Sequence, residues 1–357
     1  MKIALLIPSL KKFGPIVFTD YLIQSIIDKV NYVEVFYFNS HDDSDVVVDF
    51  SCKTTKLNFF KKYDFSSFDI VHSTMLKPDL YVAFHKIYKT SITCSSMHNY
   101  IYKDLSMLYP KYKAVLMTKL WISTLKKLDD FIVSSNDMES YYRNLLPSKS
   151  TFEIIGYGIP KPQVEGKHKV EEFDELSQLK SKYTVLGSCG LIIKRKGFDQ
   201  LLNLLADDKS LAVVLIGDGP EFDTLIEKAE KLDVSDRFKI LGFKKNSISY
   251  YKFFDVFIMC SYSEGYGLAM LEALAVSLPL ICSDLDIYKP VFSMPNVALF
   301  EPGNVASLKS ALDFTLVNKE RMSENSYKLY KNNFSLESMG DAHKNYYEKL
   351  IKLKSEK

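Results

Sequence analysis

Short apolar runs alternate with longer stretches of helical periodicity along this chain, and the alternation occurs twice. KIALLIP, VEVFYF, DIVHST, SITCSS and DFIVSS are rich in Ile, Val, Phe or Thr and read as strands. Between several of them lie helical stretches such as PIVFTDYLIQSIIDKV and PDLYVAFHKIYK. Strands joined through helices pair in parallel, with both sheet faces covered. Around residues 156–172 the texture changes. GYGIPKPQVEGKHKVEE carries glycine, proline and charge without an apolar period, and reads as an interdomain linker. The pattern then resumes with YTVLGSCG, a helix from about Phe198, LAVVLIGDG, a helix to about Leu232, and the strands RFKILGF, DVFIMCS and LPLICSD. The expected class is α/β, in two lobes each with its own parallel sheet, which suits a length of 357 residues. SLESMGDAHKNYYEKLIKLKSEK reads as a closing helix with a charged outer face.

A formal net charge of +2 argues against a general nucleic-acid partner. The cysteines Cys52, Cys94, Cys189, Cys260 and Cys282 form no CxxC pair and read as buried, reduced thiols of a cytoplasmic protein. The apolar start of MKIALLIPSL is about five residues long before Pro8, shorter than the roughly 7–15 of an export signal, and reads as a buried strand. No run approaches the roughly 18 apolar residues of a membrane span. The expectation is a soluble protein, attached at most to a membrane surface.

Chemistry concentrates in SYSEGYGLAMLEALA, where Glu264 and Glu272 bracket a glycine turn and an apolar helix. Paired carboxylates invite a glycosidase reading, but eight residues of helix span roughly 12 Å, beyond the about 5–9.5 Å of glycosidase acids. Gly265 and Gly267 instead let the backbone approach a ligand, and the helix that follows offers free N–H groups to an anion. Two acids around an anion site suit a nucleotide sugar, whose hydroxyls need acceptors and whose phosphates need donors. The plain structural alternative is one acid at a helix N-terminus and one solvated. In GSCGLIIKRKGFD, Lys194, Arg195 and Lys196 follow a strand end, either to meet an anion in the crevice or as a solvated basic loop. The GDGP turn at 217–220 is explained by turn chemistry, and Gly242 in LGF is a close-approach point for a base.

In the first lobe, His98 follows the strand SITCSS and either orients a sugar or helps move a proton, or is structural; His72 in DIVHST poses the same choice. Gly14, before Pro15 at the first βα turn, is a candidate phosphate contact, a lone glycine with no GxGxxG motif around it. Residues 109–128, YPKYKAVLMTKLWISTLKKL, hold five lysines and no acid, with apolar residues at Val115, Leu116, Leu120, Ile122 and Leu125. This stretch either lies on an anionic membrane surface or packs on the core with its lysines solvated. No cluster has metal-ligand spacing, and neither GxSxG nor a P-loop occurs.

Taken in order, GLIIKRKGFDQLL, VLIGDGPEFDTLIEKAEKL with RFKILGF, SYSEGYGLAMLEALA and VALFEPGNVASL resemble the donor half of the retaining glycosyltransferases of family 4, strongest over residues 183–315. The resemblance implies the GT-B fold: two Rossmann-like parallel-sheet lobes facing across a cleft. Residues 1–160 would bind acceptor, 161–333 would bind the nucleotide sugar, and the helix of 334–357 would return to the first lobe. It implies an E-x7-E pair in which Glu264 holds sugar hydroxyls and Glu272 the ribose. It places the diphosphate on N–H groups around Tyr266, Gly267, Leu268 and Ala269, with Lys196 and Arg195 as cations and Gly14, Gly242 and Gly265 as close-approach points. His98 would touch the donor sugar. The implied reaction needs no metal or other cofactor and keeps the anomeric configuration. It moves a sugar, with a UDP-sugar as the expected donor, to a glycan or lipid-linked oligosaccharide of a bacterial surface polysaccharide such as O-antigen or capsule, at the inner face of the cytoplasmic membrane. A GT-B epimerase, a phosphorylase or a non-catalytic glycan-binding relative would share the same body. The departures are Leu191 where the family commonly has Arg, a single glycine at the first turn, Ser277 where glycine is frequent before Leu-Pro, and SDLDIYKPVF without the usual glycines and acid.

Overall fold

The computed structural model describes residues 1–40, 42, 45–162, 170–264, 267–289, 291–292 and 295–356, without the side chains of 107, 108, 170 and 171. The chain forms two compact units, Met1–Pro160 with Asn333–Lys357, and Lys161–Asn332.

The first unit contains β1 (Lys2–Ser9), α1 (Gly14–Ile26), β2 (Tyr32–Asn39), β3 (Lys53–Lys56), β4 (Ile70–Thr74), α2 (Leu76–Phe84), β5 (Ile92–Ser96), α3 (Ile101–Leu108), α4 (Lys111–Leu125), β6 (Asp130–Val133), α5 (Asn136–Arg143) and β7 (Thr151–Ile154). Its strands form one parallel sheet, ordered β3-β2-β1-β4-β5-β6-β7. Alternate residues of β1 serve opposite faces. Ile3, Leu5 and Ile7 pack with Ile16, Leu22 and Ile23 of α1, while Ala4 and Leu6 join Tyr81, Trp121 and Phe131 on the other face. Asp79 of α2 ties that second face together. Its buried carboxylate accepts from Ser73 Oγ at 2.7 Å, Ser95 Oγ at 2.7 Å and Trp121 Nε1 at 2.8 Å.

The second unit contains α6 (Val170–Lys182), β8 (Thr184–Cys189), α7 (Asp199–Asp207), β9 (Leu211–Ile216), α8 (Phe222–Lys231), β10 (Phe238–Ile240), β11 (Val256–Met259), α9 (Leu268–Ala275), β12 (Leu280–Ser283), β13 (Ala298–Phe300), α10 (Val305–Val317) and α11 (Lys319–Leu329). Its sheet is also parallel, ordered β10-β9-β8-β11-β12-β13. All six residues of β9 are buried, as a central parallel strand requires.

The last helix, α12 (Leu336–Ser355), belongs to the first unit, where Met339, Tyr346, Tyr347 and Leu350 join the α1 face of the core. Ser335 caps it by accepting from Ser338 N at 3.2 Å. Gly340 lets it approach α1: a Cβ there would stand 2.2 Å from the Ser25 carbonyl oxygen.

Three expectations change. The linker is shorter than 156–172 at both ends. Ile159 donates to the Phe334 carbonyl at 2.8 Å in the first unit, and α6 begins at Val170; residues 163–169 lie outside those described. In α4 the buried residues are Ala114, Trp121, Thr124 and Leu125, whereas Leu116 and Leu120 are 68 % and 48 % exposed. The inward stripe is set by the large Trp121, which leaves Leu116 and Leu120 on the opposite face. Finally, β3 and β7 were not expected. KTTK and TFEI are four-residue edge strands, too short and too polar to show a period. Ser277, after α9, holds a left-handed φ of 63°. A β-carbon is costly there, which gives a physical reason for glycine being frequent at this position.

Candidate functional site

In the second unit the strand order reverses between β8 and β11, which pair through Leu186 with Val256 and Gly187 with Phe257. Loops leaving the carboxyl ends of such neighbours diverge and leave a crevice where open α/β sheets bind ligands. Both acidic and basic candidates sit on these two loops.

After β8 the chain makes a 3₁₀ turn, Lys194–Lys196, closed by Gly197 at φ 65°. A Cβ on Gly197 would lie 2.2 Å from the Cys260 carbonyl oxygen, so only glycine lets the basic loop press against the end of β11. Tyr262 N donates to the Arg195 carbonyl at 2.8 Å. Buried Gln200 adds a second clasp, donating to Cys260 O at 2.7 Å and accepting from Gly303 N at 2.5 Å.

This closure brings Arg195, Lys196 and Glu264 together. Lys196 Nζ lies 3.1 Å from both carboxylate oxygens of Glu264. Arg195 Nη1 lies 3.1 Å from Oε2 and 2.6 Å from the Ser263 carbonyl oxygen. The Glu264 and Lys196 side chains are only 8 % and 11 % exposed. Two cations face one carboxylate, so the cluster keeps an excess positive charge at the crevice, and partial burial strengthens its field. Lys194 is exposed on the same turn.

Gly267, at φ 84°, then turns the chain into α9. A Cβ there would meet Met259 Cε at 2.6 Å and Glu264 Cγ at 3.6 Å. Leu268 and Ala269 occupy the first turn, where helical N–H groups have no partner inside the helix. Gly265 and Tyr266 lie outside the described residues. Glu272 is half-buried on α9 and accepts from the Tyr251 hydroxyl at 3.1 Å. Burial, with the Glu272 charge nearby, pushes the Cys189 thiol up to about 11, so it stays protonated at the end of β8. Tyr251 and Cys189 were not expected here. Nothing in the aromatic run SYYKFF or its spacing signals a partner for Glu272. Gly242, at the end of β10, has φ 72° and open space beside it, and its carbonyl accepts from Gly217 N at 3.0 Å.

Gly14 and His98 belong to the first unit. Gly14 opens α1 with open space where a Cβ would stand and with Pro15 beside it. The His98 ring packs edge-on against Phe18 and near-parallel to Tyr157, whose hydroxyl lies 2.7 Å from Nδ1. Its enclosed Nε2 has no hydrogen-bond partner among the described residues. Burial, and then the nearby His343, push its pKa down to about 3. The ring is therefore neutral near pH 7 and suits orientation by hydrogen bonding, not proton donation as an imidazolium. His72 is structural: buried in β4, it meets Tyr347 OH through Nδ1 and Ser96 Oγ through Nε2, each at 2.7 Å. Among the described residues, no group of three or more His, Cys, Asp or Glu is placed to hold a metal ion. No helix of the described residues is long and apolar enough to cross a membrane.

Residues 169–331, nearly the whole second unit, match the family described as Glycosyl transferases group 1. The chain is 27 % identical over 359 aligned residues to the O-antigen biosynthesis glycosyltransferase WclY of Escherichia coli, covering 99 % of each. It is 28 % identical, over 47 % of this chain and 45 % of the relative, to the N-acetylgalactosamine-N,N'-diacetylbacillosaminyl-diphospho-undecaprenol 4-alpha-N-acetylgalactosaminyltransferase of Campylobacter jejuni. The fold is that of HepE of Anabaena, solved in complex with UDP, with a TM-score of 0.77 at 14 % identity, covering 98 % of this chain and 100 % of that one. The fold is therefore of the GT-B type, and the second unit is similar to the glycosyl transferases of group 1.

Proposed function

We propose that this chain is a retaining glycosyltransferase of the family 4 kind, moving a sugar from a UDP-sugar to a lipid-linked oligosaccharide during assembly of a bacterial O-antigen-type polysaccharide. The observation that carries the proposal is the meeting of Glu264 with Lys196 and Arg195 at the strand-order reversal, one turn before the N-terminus of α9. A diphosphate fits the N–H groups of Leu268 and Ala269 and the two cations. Glu272 then accepts from ribose hydroxyls, and Glu264 from hydroxyls of the sugar. His98, held neutral, is assigned to the sugar as a hydrogen-bonding group. As the bond from sugar to phosphate breaks, negative charge grows on the leaving diphosphate, and Lys196 stabilises it. That diphosphate takes the acceptor's proton on the same face, so the configuration is kept without a covalent nucleophile or a metal. The E. coli similarity over the full length supports the O-antigen setting, and the C. jejuni relative's name specifies an acceptor on diphospho-undecaprenol.

An acceptor of that kind sits at a membrane, and α4 supports peripheral attachment there. Tyr112, Leu116 and Leu120, spaced i, i+4, i+8, form an exposed stripe flanked by Lys111, Lys113 and Lys119.

The test is thermal-shift screening of the purified chain against UDP-, GDP- and ADP-sugars, followed by a transfer assay on undecaprenyl-diphosphate oligosaccharides. A UDP-sugar is expected to stabilise the protein and to yield a product with retained configuration. Glu264→Ala is expected to fold normally and transfer nothing. Full activity in that variant, or turnover to free UDP with no glycosylated product, would overturn the proposal.

A further inference from the structure

We infer that Tyr251 is a positioning residue for donor recognition: its buried hydroxyl fixes the Glu272 carboxylate so that the site selects ribose hydroxyls. The inference rests on the assignment of Glu272 to the ribose and adds a residue to it.

Tyr251 lies in a 3₁₀ segment, Ser247–Phe253, immediately before β11. The side chain is buried, with its ring 5.4 Å from Phe254 and 5.3 Å from Phe257. Burial and those two rings hold it in place, and its hydroxyl stands 3.1 Å from Glu272 Oε2. The Cys189 thiol at the end of β8 lies close by. The end of β8 and the segment leading into β11 are therefore linked to one carboxylate of α9. A glutamate on a helix surface has three rotatable side-chain torsions and samples many positions. Once one oxygen is held by a donor that cannot move, the plane of the carboxylate is set before the ligand arrives. Recognition of a vicinal diol requires that plane, because its two hydroxyls point in fixed directions. A tyrosine that only filled the core would have no need of its hydroxyl at this spot, and phenylalanine would serve.

The test is isothermal titration of wild type, Tyr251→Phe, Glu272→Ala and Cys189→Ala with UDP and with 2′,3′-dideoxy-UDP. Wild type is expected to prefer UDP by about 10-fold or more, the factor that hydrogen bonds to a charged group carry. Glu272→Ala should abolish the preference. Tyr251→Phe should reduce it to about 3-fold or less while binding dideoxy-UDP as wild type does. Cys189→Ala, which keeps the tyrosine hydroxyl, should retain it. A merely structural role would lower stability or weaken both ligands together, leaving their ratio unchanged. An unchanged ratio in Tyr251→Phe overturns the inference alone. If wild type binds both ligands equally, the ribose role of Glu272 falls and Tyr251 falls with it. If wild type binds no UDP, the donor assignment itself is wrong.

Discussion

Lys196 Nζ stands 3.1 Å from each oxygen of Glu264, so in the ligand-free site the lysine assigned to the diphosphate is already paired with the acid assigned to the sugar. A diphosphate entering the crevice therefore competes with Glu264 for this cation and for Arg195. The two roles are separable, because one concerns charge and the other hydrogen bonds to the transferred sugar.

Glu264→Gln separates them. It keeps the shape and frees both cations from their internal partner. UDP is expected to bind at least as tightly as to wild type, while transfer falls by 100-fold or more, an order taken from the loss of one transition-state hydrogen-bonding group in other enzymes (about 10²–10³). Lys196→Ala should weaken UDP and transfer together. Titration calorimetry and initial rates check both; weakened UDP binding in Glu264→Gln would contradict the competition.

Asp79 gives a prediction about pH. Burial raises its carboxyl from the usual 3.8 to about 6, against the opposing hydrogen bonds from Ser73, Trp121 and Ser95. A raised folded value means that the native state holds the proton where the unfolded chain has lost it. The resulting stability is fully present below about pH 4 and is lost as pH rises through about 6. Two units correspond to roughly 3 kcal/mol. Urea unfolding of wild type and Asp79→Asn should show the variant gaining about that much on wild type between pH 4 and pH 7. A difference that does not change with pH would refute the account of this residue.

Ser277 holds φ 63° with a β-carbon in place. Its carbonyl, which accepts from Ser323 Oγ at 2.5 Å, is unaffected by substitution. Glycine removes the strain of about 1–2 kcal/mol and brings a flexibility cost of about 0.5–1 kcal/mol. Ser277→Gly should therefore stabilise the protein by about 0.5–1 kcal/mol in urea unfolding. A loss of stability would show that the serine side chain makes a contact worth more than the strain.

The stripe on α4 is tested by sedimentation with vesicles. Wild type should pellet with vesicles rich in phosphatidylglycerol at low salt, less so at high salt, and hardly at all with phosphatidylcholine. Leu116→Ser with Leu120→Ser should reduce pelleting several-fold without lowering thermal stability, because both side chains are exposed. Equal pelleting of the double variant would remove α4 from the membrane contact.

The two-sheet architecture was legible because central parallel strands are buried on both faces and must be continuously apolar, as in LAVVLI of β9. The position of Lys194–Lys196 and Glu264 was legible because both lie in the loops that leave such strands. What failed depends on the third dimension. The edge strands β3 and β7 bury little, so no hydrophobic pattern announces them. The outward face of α4 could not be told from its inward face until Trp121 was seen to reach Asp79. His98 looks titratable in a sequence, but its neutrality comes from the neighbours that enclose it. Tyr251 hides among aromatics, since a core ring and a ring with a duty at its tip look alike in a string of letters.

The most direct measurement is a crystal structure of this chain with a UDP-sugar. The account predicts diphosphate oxygens within hydrogen-bond distance, about 3 Å, of the N–H groups of Leu268 and Ala269 and of Lys196 Nζ, with the ribose at Glu272. A well-ordered nucleotide that touches neither Lys196 nor Glu272, whether elsewhere in the second unit or in the first, would contradict it.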